Sequence, residues 1–397
     1  MAPRSSDVSA LATLLRTTPA ASIVPTHRPL VRADDHETVA DALGRLAAAR
    51  VLACPVYSRQ ARRYTAILDA MDVAAAVMGE DACRGRGGDG GDGDGGGGGG
   101  GGGGHGDALS AVLARSAGVV ANASRSNELV CLDAAAPLTV AVTTMAGGGT
   151  HRVALVEAGG GAMVDLLTQS AVVAWLVRRG VFGVPPLEDA VVSAVVTGGR
   201  GGLAAAAGGE GDTARAAQRS VVCMSVGGES VPLRSVLARL LRADAATVAL
   251  VAANGSLAGK LSPADVRALL GGVVAVADTA PSAVDDALDA ALDKDATAWL
   301  AGQTLTTTAR ASAPAGGGAW DGAADAASAT LPPLPAGVTV AGNALAVTAS
   351  SPLSAVVEAL VATGQHHAFV VAEGGEVTGV VSLTDILATV AATAQLQ

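Results

Sequence analysis

The stretch HHAFVVAEGGEVTGVVSLTD, residues 366–385, decides how this chain is read. Two apolar, β-favouring runs, Ala368 to Val371 and Val377 to Val381, flank a Gly374-Gly375 turn and predict a hairpin. Ser382 and Asp385 then place a hydroxyl and a carboxylate three residues apart at the entrance of an apolar helical segment. Upstream, Ser351-Pro352-Leu353 opens an amphipathic helix. The unit reads as helix, strand, hairpin, strand, helix. Such an end can hold a nucleotide but has no evident means of transforming one.

The same unit recurs along the chain. From the first helix's entrance to the position of the final Asp, Pro352 to Asp385 and Pro232 to Asp265 each span 33 residues, and Pro137 to Ala171 and Thr38 to Asp72 each span 34. Paired apolar runs fill each interval: Cys54 to Tyr57 with Ala66 to Leu68, Val153 to Val156 with Met163 to Leu167, and Thr247 to Val251 with Leu257 to Leu261. Asn254-Gly255 is the strongest of the hairpin signals. Pro137, Pro232, Pro263 and Pro352 suit first helical positions, where a missing N–H costs nothing. Equal spacing of this kind marks an internal repeat, and the fold class is α+β with four β-α-β-β-α units.

Composition narrows the function. A chain of 397 residues that is half hydrophobic can bury sizeable cores, but aromatics at 2% exclude recognition by aromatic stacking. A net charge of −10 excludes nucleic acid as the main partner, because phosphate-backbone affinity needs clustered Lys and Arg. Cys54, Cys83, Cys131 and Cys223 are far apart and suit isolated thiols in a reducing compartment. No apolar run approaches the roughly 18 residues of a membrane span. The N-terminus lacks the apolar core of a secretory signal, so a cytoplasmic or nuclear location is expected ahead of an organellar transit peptide. The six histidines show no metal spacing and no nucleophile elbow is present, so no catalytic residue, metal site or obligatory cofactor is expected.

Three soft segments punctuate the repeats. Gly85 to Gly106, with ten consecutive glycines from Gly95 to Gly104, suits a flexible tether; Gly198 to Gly211 divides the halves; Pro314 to Pro335 is the third. Ser282 to Leu300 reads as a helix with Val284, Leu288, Ala291 and Leu292 on one face. The expected layout is an extension over 1–27, repeats at 28–80, 126–180, 218–272 and 341–397, a Gly-rich linker at 81–125, an inter-module linker at 181–217, and a helical insert with linker at 273–340.

The repeated pattern ending in G-h-h-[ST]-x-x-D, where h is apolar, resembles the cystathionine-β-synthase (CBS) domain. Gly379-Val-Val-Ser382-Leu-Thr-Asp385 and Gly259-Lys-Leu-Ser262-Pro-Ala-Asp265 match it in full. Four repeats imply two Bateman modules, each a pseudo-twofold pair, able to pack into a disc through Ala-rich helix faces. Thr168 to Leu176, the following Gly180-Val-Phe-Gly-Val-Pro-Pro186 and the inserted helix are similar to plant CBS-only proteins related to the γ subunit of AMP-activated protein kinase. His151-Arg152 looks like that subunit's phosphate-contacting pair, and His366-His367 matches it by half; Leu52 stands where its first repeat has an Arg. The resemblance implies a non-enzymatic regulator that binds AMP, ADP, ATP or another adenosine derivative, with a protein kinase catalytic subunit as partner and a homodimer as one assembly. The alternative is a CBS-fold scaffold whose sites have lost their ligands.

For the sites, a hydroxyl at a helix entrance can donate to phosphate beside backbone N–H groups and a favourable dipole. The Asp can accept from both ribose hydroxyls. The same spacing is also a capping box, in which Ser caps the helix and Asp reaches back to its first N–H with no ligand at all. Ser262, Asp265, Ser382, Asp385, His366 and His367 are the candidate ligand residues. Thr168, His151, Arg152 and Asp72 belong to weaker sites. Repeat one carries Asp69 at the hydroxyl position, and like charges about 4 Å apart cost roughly 4 kcal/mol at an effective dielectric of 20. Repeat two has Ala171 at the ribose position. Lys260 projects either towards the cleft or into solvent.

Overall fold

The computed structural model describes residues 5–24, 30–49, 51–79, 109–124, 128–147, 150–158, 162–195, 221–228, 230–243, 245–277, 283–303 and 333–395. The glycine tether, the 198–211 segment and most of the 314–335 segment lie outside the described residues.

The described chain is α+β, with four small sheets. In the first, β1 (Ala33–Asp34) runs parallel to β2 (Ala53–Ser58), which pairs antiparallel with β3 (Arg63–Asp69). The second repeats this with β4 (Cys131–Asp133), β5 (Arg152–Val156) and β6 (Met163–Thr168). The third does so with β7 (Cys223–Ser225), β8 (Val248–Val251) and β9 (Leu257–Leu261). The fourth adds an outer strand, β10 (Val338–Ala341), antiparallel to β11 (Ala344–Val347), before β12 (His367–Val371) and β13 (Val377–Ser382).

The crossover helices are α2 (Val39–Ala49), α6 (Leu138–Ala146), α8 (Leu233–Arg242) and α12 (Leu353–Thr363); the closing helices are α3 (Ala70–Met78), α7 (Gln169–Arg178), α9 (Pro263–Ala277) and α13 (Leu383–Gln395). Their burial follows from sequence spacing. Leu138, Ala141, Val142 and Met145 repeat the offsets of Leu233, Val236, Leu237 and Leu240 and of Leu353, Val356, Val357 and Leu360, and all are buried. Each fully buried Val or Leu contributes about 1.5–3 kcal/mol of transfer free energy.

Three of the four prolines sit one residue earlier than the first helical position. Pro137, Pro232 and Pro352 are N-caps with ψ between 136° and 145°, and Pro263 alone begins its helix. Extended ψ at the cap brings the chain in at an angle that lets the next Leu enter the core. The segment expected as one helix over 282–300 is two, α10 (Val284–Leu292) and α11 (Ala296–Ala301). Asp295 interrupts it by capping α11, accepting from Ala298 N at 3.0 Å. The span expected as Gly-rich linker holds α4 (Leu109–Ala114) and α5 (Ala117–Val120), whose Leu109, Val112, Leu113, Ala117 and Val120 are buried. The N-terminal extension supplies α1 (Ser5–Thr17).

Sheets meet within each half, whereas helices pack across halves. Ser256 bridges Glu376, and Leu257 N donates to Gly375 O at 3.1 Å, joining the third and fourth sheets. A core of Leu11, Leu15, Met145, Val173, Leu176, Leu360, Ile386 and Leu387 joins α1 to the second and fourth units. A second core of Leu46, Val73, Leu109, Leu237, Val266, Leu270, Leu288 and Trp299 joins the first and third. Cys54 is buried, which pushes its thiol up to about 12, while Cys131 and Cys223 are exposed; Cys83 lies outside the described residues. No described helix is long and apolar enough to cross a membrane.

Candidate functional site

Each hairpin ends where its closing helix begins, so the four polar entrances occupy equivalent places. At the fourth, β13 delivers Ser382 to the start of α13. Ser382 N and Oγ donate to Asp385 Oδ2 at 2.8 and 2.6 Å, and Asp385 N donates to Ser382 Oγ at 3.3 Å. This is reciprocal capping geometry.

The third entrance begins in the same way, with Ser262 N donating to Asp265 Oδ2 at 2.8 Å and Ser262 Oγ to the same oxygen. Lys260 is buried rather than solvated. Its Nζ donates to Asp265 Oδ2 and to Ser262 Oγ, each at 3.0 Å. Asn343, in the Gly342-Asn343 turn between β10 and β11, donates from Nδ2 to Asp265 Oδ1 at 3.4 Å and to Lys260 O at 3.2 Å; its Oδ1 accepts from Lys260 N at 2.9 Å.

The first entrance is a capping box between acids. Asp69 Oδ1 accepts from Met71 N and Asp72 N, and Asp72 Oδ2 accepts from Asp69 N at 2.9 Å. Ser124 closes the other side, donating from N and Oγ to Asp72 Oδ1 at 3.0 and 2.7 Å. Burial, followed by the nearby Asp69 charge, pushes Asp72 up to about 7. At the second entrance, Thr168 Oγ1 accepts from Ala171 N at 3.2 Å. Gln169 Nε2 there donates to Thr384 Oγ1 at 2.9 Å, tying the second unit to the fourth.

The histidines and basic residues of different units converge. Arg152 Nη1 lies 3.4 Å from Asp69 Oδ2, joining the second sheet to the first. His366 keeps some contact with solvent by surface area yet lies deep among protein atoms. Burial first, then the proximity of His151, Lys260 and Arg152, holds its pKa down to about 4, so it is neutral at physiological pH. His367 is buried beside it, with ring centroids 6.5 Å apart. One region therefore gathers His151, Arg152, Lys260 and His366 from three sheets.

Sequence reasoning named all of these side chains except Asn343, Ser124, Gln169 and Thr384. The signal for Asn343 was a Gly-Asn turn between two short apolar runs; Ser124 had none, because it reaches Asp72 from 52 residues away. A surface pocket of about 580 Å³, lined among others by Arg32, Glu37 and Arg45, includes none of the site residues. Among the described residues, no group of three or more His, Cys, Asp or Glu side chains is arranged to hold a metal ion.

Residues 340–392 match the family model of the CBS domain. The fourth unit carries the CBS signature. Around this CBS match, one solved structure extends the likeness to the whole fold. A protein of Methanocaldococcus jannaschii described as a candidate archaeal homologue of γ-AMPK aligns with a TM-score of 0.59 at 13% identity, over 93% of this chain and 99% of that one. An uncharacterised conserved protein of Pyrococcus horikoshii aligns at 0.43 and 10% identity, over 94% and 100% of the two chains. A CBS domain protein of Pyrobaculum aerophilum complexed with AMP aligns at 0.27 and 17% identity, over 39% and 89%. No curated protein matches the chain. At 13% identity the likeness to the Methanocaldococcus jannaschii protein is one of fold.

Proposed function

We propose that the chain is a non-enzymatic regulatory protein that binds an adenosine-containing nucleotide, AMP, ADP or ATP, and passes its occupancy to a partner. The observation that carries this reading is the convergence of His151, Arg152, Lys260 and His366, from three sheets, on a deep region that keeps contact with water. Arg152 there supplies charge for phosphate, and neutral His366, beside His367, supplies an N–H donor without the cost of a further buried cation. Ser382 and Asp385 are the proposed hydroxyl and ribose contacts of the fourth unit, with Ser262 and Asp265 their counterparts in the third. Thr168 and Asp72 belong to weaker sites. Four CBS units paired as two modules, with the boundaries set out from the sequence, form the proposed layout. Occupancy would act by favouring one arrangement of the modules over another. The proposed partner is a protein kinase catalytic subunit.

A second reading, a ligand-free scaffold, is favoured by one specific observation. The carboxylates of Asp72 and Asp265 already accept hydrogen bonds from the chain's own donors on both oxygens. Calorimetric titration of AMP, ATP and S-adenosylmethionine into the full chain separates the two. Saturable binding that weakens at least tenfold in Asp385→Ala supports the sensor, and no heat from any of the three at millimolar concentration leaves the scaffold.

A further inference from the structure

We infer that the Asp265 entrance is held shut by the chain itself, with the Lys260 ammonium and the Asn343 carboxamide bound where the hydroxyls of a ribose would bind. This rests on the nucleotide reading of the Ser-x-x-Asp entrances and concerns the regulation of one of them.

A carboxylate offers about four acceptor positions. Asp265 Oδ2 receives Ser262 N, Ser262 Oγ and Lys260 Nζ, and Oδ1 receives Asn343 Nδ2. At most one lone pair, on Oδ1, remains, which cannot accept two vicinal hydroxyls. The single Ser262 hydroxyl proton is committed to Asp265, so it cannot also be donated to a phosphate. Lys260 and Asn343 are 3% and 4% exposed, which fixes the lock in the interior.

The lock is built from both strands that form it. Asn343 pairs with both backbone groups of Lys260, as a neighbouring strand would. Gly342 adopts φ +56°, and a Cβ there would stand 2.3 Å from Ala258 O. At Gly259 a Cβ would meet Leu300 Cδ2 at 2.5 Å and Asn343 Oδ1 at 3.0 Å. Both glycines are needed for the turn to reach β9. In the fourth unit the position matching Lys260 is Val380, which can form no ion pair. Lys260 is thus the residue that determines whether the third entrance accepts a ribose.

Adenosine, which lacks phosphate, is the probe that separates a lock from a phosphate ligand. Titrated into the full-length wild type and into Lys260→Met/Asn343→Ala, it should bind the variant with one additional equivalent, and adding Asp265→Asn should abolish that gain. Unchanged adenosine stoichiometry would overturn the lock, the more so if AMP binding weakened in the same variant. AMP binding to the wild type, and its loss in Asp385→Ala, is scored separately: a gain of adenosine without wild-type AMP binding keeps the lock and sinks the fourth-unit sensor. Amine labelling of the wild type supplies a check that needs no variant, because the chain has only two lysines. Lys260 should label at least tenfold more slowly than exposed Lys294, and equal rates would show that no lock exists.

Discussion

The entrances at Ser262 and Ser382 share a motif and a backbone geometry, and they differ in what meets the carboxylate. At Ser382, Asp385 accepts from Ser382 N and Oγ as the carboxylate of a capping box does. At Ser262 the same cap is overlaid by a buried ammonium and a carboxamide from a neighbouring sheet. A local motif therefore specifies how a helix starts, while tertiary neighbours set whether its polar groups are available to a ligand.

The largest expected effect tests this difference directly. Asp265→Ala should destabilise the protein by about 3–5 kcal/mol, because it leaves the Lys260 charge buried without its counterion. Asp385→Ala removes capping contacts and should cost about 1 kcal/mol. Urea denaturation measures both, and similar losses would erase the distinction. Adding Lys260→Met to Asp265→Ala should recover part of the stability, as a coupled pair requires.

Gly342→Ala sharpens the same contrast at the backbone. Left-handed φ costs roughly 1–2 kcal/mol for an L-residue, and the close approach to Ala258 O adds to it. Gly374→Ala, in the fourth unit's hairpin, meets nothing within 4 Å and should change stability by less than about 0.5 kcal/mol. Thermal unfolding of the two variants ranks them.

A pH-dependent effect, read as a slope, extends the comparison to the first entrance. Asp72 is raised to about 7 from an unfolded value near 3.9, so the folded protein binds its proton more tightly. Stability from this group is therefore present below about pH 4 and is lost as pH rises through 7. The slope is at most about 1.4 kcal/mol per pH unit, one proton's worth. Asp72→Asn should flatten the stability profile between pH 4 and 7; an unchanged profile would assign the titration elsewhere.

Much of the fold was legible because it rests on short-range chemistry. Alternation, turn glycines and the i, i+3, i+4, i+7 spacing in α6, α8 and α12 act within one unit, and the two hairpin strands of each unit fall within a residue or two of the runs read from sequence, β3 excepted, whereas β1, β4, β7, β10 and β11 match no run that was read. Where Asp295 breaks the expected long helix, a capping side chain outweighed continuous apolar spacing. The Ser-x-x-Asp entrances were visible for the same local reason. The lock was not, since Asn343 reaches Lys260 across 83 residues and no spacing rule encodes that distance. Burial of Lys260 was equally hidden, because a lysine in a strand reads alike whether its partner is water or a carboxylate.

The crossed arrangement of the two cores bears on how the chain is made. The core that holds the second unit's α6 and α7 also needs α12 and α13, which are made some two hundred residues later. A nascent chain that has emerged as far as the first half displays apolar faces of α6 and α7 that α1 covers only in part. Final packing must wait for α12 and α13, and long-range closure of this kind folds slowly. Truncation before α13 should thus remove more than one unit, since it strips the cover from a helix pair made some two hundred residues earlier.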